Sequence, residues 1–206
     1  MLLALAAAPL SVSGQTGGAV EGRVEMPTSP PKRQATRYPG AGASSAQLQS
    51  VPAVVWLEGE LPATSRPDTV TIGQRDKLFV PGGLAIAAGT VVRFPNDDPF
   101  YHNVFSYSGP RFDLGRYAPG TTREVTLDEA GVVEVYCEIH EFMRAVVVVT
   151  DHGFGAVAAP DGTFRFAGVP PGRYTLKVYH PDHGTTELPV TIAAGDTARV
   201  LIAGGG

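Results

Sequence analysis

A chain of 206 residues with a formal net charge of −4 is long enough for one large or two small domains, and it lacks the basic surface that a phosphate backbone requires, so nucleic acid is excluded as a partner. Its 25 glycines and 18 prolines, with apolar residues in short β-branched runs and no sustained helical period, exclude a helical protein and point to an all-β one. A single cysteine also excludes an intramolecular disulfide.

The N-terminal stretch "MLLALAAAPLSVSGQ" has the apolar core and small residues of a secretory signal without the usual positive charges, and residues 1–14 are assigned to that signal peptide. The apolar run is too short to span a bilayer and no other is longer. No membrane span is expected, and the protein reads as periplasmic or secreted. In an oxidising compartment a lone thiol is a liability unless it serves as a metal ligand.

Residues 15–67 hold two strands and a loop. "GAVEGRVEM" (residues 18–26) alternates as a strand does, residues 27–50 are rich in Pro, Gly, Ser and Ala and read as a flexible loop, and "PAVVWLEG" (residues 52–59) reads as a buried strand. From Thr69 strands follow closely in "TVTIGQ", "LFVPGGLAIAAGTVVRFPN", "HNVFSYS", "REVTLDEAGVVEVYC" and "RAVVVVT", with Gly and Pro at the breaks. Over residues 68–150 this is the spacing of a Greek-key β-sandwich. Residues 151–206 make a second β unit: "TFRFAGV" and "RYTLKVYH" are joined by the turn "PPG", and "LPVTI" and "ARVLI" complete a small sheet. Fewer than about sixty residues bury little on their own, so this unit is expected to pack on the first or to borrow the strands between residues 18 and 59.

"VYCEIHEFMRAVVVV" (residues 135–149) brings the cysteine, a histidine and a methionine together. Side chains alternate along a strand, so Val133, Val135 and Cys137 share the inward face, and after the turn Met143, Ala145, Val147 and Val149 share a face of the next strand. The loop of residues 138–142 carries His140 near its tip. A further ligand at that end comes from "NDDPFYHNVFS", where His102 opens a strand. Two histidines, a thiolate and a weak axial methionine are the ligand set of a mononuclear copper site for electron transfer. His102 is expected to be the buried histidine and His140 the exposed one. Zinc would accept Cys and two His, but the methionine disfavours it. Asn103 has two readings: a hydrogen bond across to the Cys137 loop that ties the ligand loops together, or a local turn contact.

"HNVFS" followed by "YCEIHEFMRAVVVV" resembles the cupredoxins over about residues 69–150, with an amicyanin-like copper loop. The tail "DGTFRFAGVPPGRYTLKVYH" resembles a carboxypeptidase regulatory-like domain, and the combination resembles proteins labelled methylamine utilisation proteins. The first resemblance implies one type 1 blue copper, one-electron transfer, and a redox protein partner such as a cytochrome or a periplasmic dehydrogenase. The second implies a small transthyretin-like β-sandwich, often an interaction module. Where amicyanin-like loops carry prolines this loop has Glu138 and Glu141. The surface around His140 is therefore expected to be more acidic and less apolar, which either favours a basic redox partner or places a carboxylate close enough to shift the potential of the site.

Enzymatic readings fail on the residues. Copper oxidases and nitrite reductases place a histidine beside the cysteine to reach a second copper, whereas Cys137 is flanked by Tyr136 and Glu138. The binuclear purple site needs two cysteines, and a nucleophilic cysteine would face its histidine from an opposed segment. His152 stands apart from this pattern; "HPDH", with His180 and His183, reads as an exposed solvated turn rather than a weak metal site, and "PNDDP" lacks the spacing of a calcium loop and reads as a turn before His102. The alternative to an electron carrier is a copper storage or delivery protein, or a non-redox interaction module assisting a periplasmic enzyme.

Overall fold

The computed structural model describes residues 17–25, 49–63 and 68–203. The signal peptide read at residues 1–14 and most of the Pro-rich loop lie outside the described residues. The first strands are β1 (Gly18–Glu25) and β2 (Val54–Glu58). There follow β3 (Thr69–Thr71), β4 (Gly73–Arg75), β5 (Leu78–Val80), β6 (Gly83–Ala87), β7 (Thr90–Pro95), β8 (His102–Ser106), β9 (Phe112–Tyr117), β10 (Thr122–Leu127), β11 (Gly131–Tyr136) and β12 (Arg144–Thr150). The chain closes with β13 (Gly155–Val157), β14 (Thr163–Val169), β15 (Gly172–His180), β16 (Gly184–Ile192) and β17 (Thr197–Ala203). The protein is all-β, and no helix among the described residues is long and apolar enough to cross a membrane.

Two sandwiches share the chain. In the first, the sheet β10-β7-β3 faces the sheet β6-β12-β11-β8-β9, with the β4–β5 hairpin at one end. Its core includes Phe79, Val92, Phe94, Val104, Val133, Val135 and Val147. In the second, β14-β1-β17 and β13-β2-β15-β16 enclose Val20, Leu57, Phe164, Leu176 and Ile202. Here β1 pairs antiparallel with β14 and parallel with β17, while β2 lies between β13 and β15. The tail strands therefore do not make one small sheet. With β1 and β2 inserted, they divide between two facing sheets and gain an enclosed core that the tail alone could not build.

The seam between the sandwiches explains the run of valines. Strand β12 directs Ala145, Val147 and Val149 into the first core, while Val146 and Val148 pack against Val51 and Val54 of the second unit. A strand buried on both faces reads as continuous rather than alternating hydrophobicity. Trp56, the sole tryptophan of the chain, lies at the edge of this seam with Val132, Val157 and Tyr179.

Strands β9 and β13 have no counterpart in the alternation read from the sequence. In β9 the charged Asp113 and Arg116 and a left-handed Gly115 at φ 64° obscure the period; β13 is three residues long and takes its place by pairing with β2. The stretch "TVTIGQ" divides at Ile72, which is fully buried.

Candidate metal centre

Three atoms able to bind a metal converge at the end of the first sandwich. His102 is the first residue of β8 and is fully buried; Cys137 follows the last residue of β11 and is 2% exposed; His140 is half-buried in the connection to β12. Cys137 Sγ lies 3.7 Å from His102 Nδ1 and 3.9 Å from His140 Nδ1, and the two nitrogens are 3.0 Å apart. Among the described residues this is the one group of three such side chains whose ligand atoms lie within 4.8 Å of one another. Met143, fully buried, belongs to the same apolar cluster as Cys137, and its N–H donates to the His140 carbonyl at 2.9 Å, which folds the loop into a turn.

The buried histidine is oriented by a carboxylate. Asp98, 5% exposed, lies 2.9 Å from His102 Nε2, and its two oxygens also accept the N–H groups of Asp76 (2.7 Å) and Lys77 (2.8 Å). Burial pushes the Asp98 carboxyl up, but the Lys77 N–H, the bond to His102 and the Asp76 N–H outweigh it and hold the group below its ordinary range. An ionised carboxylate only accepts, so Nε2 of His102 carries its ring hydrogen and Nδ1 presents a lone pair to Cys137 and His140.

Asn103 ties the two ligand segments together. Its Oδ1 accepts the Glu138 N–H at 2.7 Å and lies 3.5 Å from Cys137 Sγ as acceptor of the thiol hydrogen. The loop before β8 is braced by Asn96, whose Nδ2 donates to the Phe100 carbonyl (2.7 Å) and whose Oδ1 accepts the Asp98 N–H (3.1 Å). In the sequence, the segment holding Asn96 and Asp98 reads only as a turn. The signal that escapes there is a carboxylate four residues ahead of a candidate ligand histidine, which means nothing until the loop folds it back.

The geometry suits a small first-row ion. A point equidistant from Sγ and the two Nδ1 atoms lies about 2.1 Å from each, close to the bond lengths of such ions to imidazole and thiolate. The donors, one soft sulfur and two imidazoles with a thioether-bearing Met143 in the same loop, fit copper best.

Around the site the surface combines the expected acidic groups with apolar and basic ones. Glu138 and Glu141 are exposed, but so are Ile139 in the loop and Phe100 and Tyr101 just before His102. Lys77 Nζ sits 4.8 Å from the Phe100 ring and Arg116 4.7 Å from that of Tyr101, so apolar and basic groups contributed by other loops share the rim. The remaining histidines are elsewhere. His152 engages the Leu57 carbonyl and accepts the Phe154 N–H, while His180 and His183 lie ring to ring at 4.9 Å in the second unit.

The second sandwich grips the ligand loop. Arg144, next to Met143, donates from both terminal nitrogens to Asp182 at 2.6 Å and from Nε to the Gln49 carbonyl at 3.0 Å. Gln49 donates its own N–H to the Phe142 carbonyl and holds Phe79 through both of its side-chain amide atoms. On the adjacent strand, Glu134 accepts from Tyr136, beside Cys137, and from Tyr179 of β15.

A β-sandwich with a His-Cys-His group at one end, closed by a Cys-x2-His-x2-Met loop, defines a cupredoxin. Plastocyanin of Solanum crispum is 38% identical over 85 residues, covering 35% of this chain and 85% of that protein. The chain belongs to the plastocyanin family of cupredoxins, proteins of the copper electron-carrier type, and its cofactor is one type 1 copper. Among solved structures, a mutant amicyanin in the Cu(I) state is 22% identical with a TM-score of 0.38, over 40% of this chain and 82% of that one. A copper-containing nitrite reductase from Thermus scotoductus is 25% identical with a TM-score of 0.37, over 45% of this chain, which spans 23% of the reductase. Residues 142–203 match the carboxypeptidase regulatory-like domain, a match that begins inside the ligand loop and includes β12.

Proposed function

We propose that this protein is a one-electron carrier working in the periplasm or outside the cell, not an enzyme, with His102, Cys137, His140 and Met143 as the copper ligands. The observation that carries the reading is the convergence of Sγ and two Nδ1 atoms with His102 locked by Asp98 in the tautomer that leaves Nδ1 free. Copper, when bound, supplies the one-electron couple. The protein supplies rigidity: His102 is pinned through Nε2, the Glu138 N–H next to Cys137 is bound to Asn103, and β11 and β12 fix the two ends of the loop. Ligands that cannot rearrange keep the geometry common to both oxidation states, which favours fast transfer. His140, the less buried histidine, with Ile139, Phe100 and Tyr101 around it, is the side from which a partner redox protein such as a cytochrome or dehydrogenase is reached. Tyr136 and Glu138 beside Cys137 provide no histidine to relay electrons to a second metal, which supports a carrier over a reductase.

In this reading residues 68–150 are the copper domain, and residues 151–206 with the strands of residues 15–67 are a supporting domain. The test is a copper(II) titration of the purified protein. One copper per chain with an intense visible thiolate-to-copper band, bleached reversibly by ascorbate and absent in Cys137→Ala, is the expected result. A colourless complex, or copper that passes readily to a chelating acceptor without redox cycling, overturns it in favour of delivery or storage.

A further inference from the structure

We infer that Asp98 is a positioning residue that lowers the reduction potential of the centre, and that the β4–β5 hairpin holds it in place for that task; the inference rests on the copper-carrier reading above. A backbone carbonyl would be enough to fix the tautomer of His102. The structure instead puts a carboxylate there, 5% exposed and 2.9 Å from Nε2. Among the described residues Asp98 forms no ion pair other than that with His102. The Lys77 ammonium, which could have neutralised it, lies over the Phe100 ring instead. The negative charge is thus stabilised by two backbone N–H groups and directed through the imidazole at Nδ1. A carboxylate bonded to the far nitrogen raises the basicity of the ligating one and stabilises the more highly charged oxidised metal.

The support is specific. Asp76 and Lys77 form the two-residue turn between β4 and β5, both in the left-handed region at φ 54° and 57°. Such a turn favours Asn-Gly or Asp-Gly, and lysine at its second position is unfavourable unless its surroundings hold it there. What holds it is Asp98, which accepts both turn N–H groups. Removing the carboxylate therefore risks the turn as well as the charge, and the two have to be separated.

The experiment compares four proteins as copper complexes: wild type, Asp98→Asn, the double variant Asp76→Asn/Lys77→Gly, whose turn needs no outside support, and the triple variant combining both. Each is titrated with ferricyanide and ascorbate in the presence of mediators while the visible band is followed. At a fixed applied potential, the triple variant is expected to show about tenfold less oxidised protein relative to reduced than the double variant, which corresponds to about 59 mV for a one-electron couple. The double variant should match wild type within twofold. In the metal-free proteins, imidazole nitrogen NMR should show His102 of wild type and of the double variant protonated at Nε2. A triple variant that keeps its blue band and titrates within twofold of the double variant overturns the role of Asp98 while leaving the copper carrier intact. A wild-type protein with no blue band overturns the carrier reading and this inference with it.

Discussion

The two sandwiches spend their interiors differently. At the ligand end of the first, Gln74, Asn96, Asp98, His102 and Asn103 are all buried, each bonded to another polar group of the same end. The core of the second is mostly apolar, built on Val20, Leu57, Phe164, Leu176 and Ile202 with the buried His152 bonded to the Leu57 carbonyl at its edge, and charges pair on its outside, as Glu21 does with Arg165 and Arg199. A buried polar network costs stability unless every member is satisfied, but it fixes side chains in a way that apolar contacts do not. The first sandwich thus carries the precision and the second adds apolar burial, joined to the first through the doubly buried β12 and the Arg144–Asp182 pair.

The largest effect that tests this division is Leu176→Ala. Truncating a fully buried leucine should cost about 2–5 kcal/mol, read by denaturant unfolding. Because β12 packs one face into the first core and the other against Val51 and Val54 of the second unit, Trp56 fluorescence and the copper band should be lost in one transition, with the spectrum of the folded protein unchanged. Two separate transitions would mean that the second sandwich does not support the first.

Arg144→Met comes next. The pair is 15% and 13% exposed, and removing the guanidinium leaves the Asp182 carboxylate in a largely desolvated place, at a cost of about 3 kcal/mol. The pair also has a pH signature. Burial raises the Asp182 carboxyl, but the Arg144 hydrogen bond and charge outweigh it and hold the group below the ordinary aspartate range. A group with a depressed folded pKa contributes stability that is present above its unfolded pKa and lost as pH falls through the folded one. Asp182→Asn should therefore be less stable than wild type at neutral pH, and the gap should narrow below about pH 4, as unfolding curves measured across that range would show. A constant gap would mean that the pair contributes packing and not charge.

How far these features are legible in sequence depends on whether the signal is local. Cys137, His140 and Met143 stand within seven residues of one another, and strand parity alone turns Cys137 and Met143 inward, as the core shows. His102 is legible because it opens a strand beside an asparagine. Asp98 is not, because its meaning depends on a loop folding back and on two N–H groups from a hairpin more than twenty residues earlier. The pairing of β1 with β17, about 180 residues apart, is likewise invisible to periodicity and is suggested only by the shortage of core in the tail. The apolar and basic rim escapes for a related reason, since the ligand loop supplies its glutamates but Phe100, Tyr101, Lys77 and Arg116 come from elsewhere.

The smallest effect probes the seam where it comes nearest the cysteine. Tyr179 donates to Glu134 Oε1 at 2.5 Å and Tyr136 donates to Oε2 at 2.8 Å, so one carboxylate links β15 to the residue before Cys137. Burial first, then the bond to Glu134 and its charge, push the Tyr179 phenol above its ordinary range, so it stays a neutral donor. In Tyr179→Phe, Glu134 keeps Tyr136 and regains access to water at the seam, and the loss should be about 1 kcal/mol in denaturant unfolding. Cys137 is held through the Glu138 N–H bonded to Asn103 and by the ladder between β11 and β12, neither of which passes through Tyr179. The visible band and reduction potential should therefore stay at their wild-type values. A shifted band would show that the second sandwich acts on the metal centre itself, and the division between precision and support would have to be redrawn along β11.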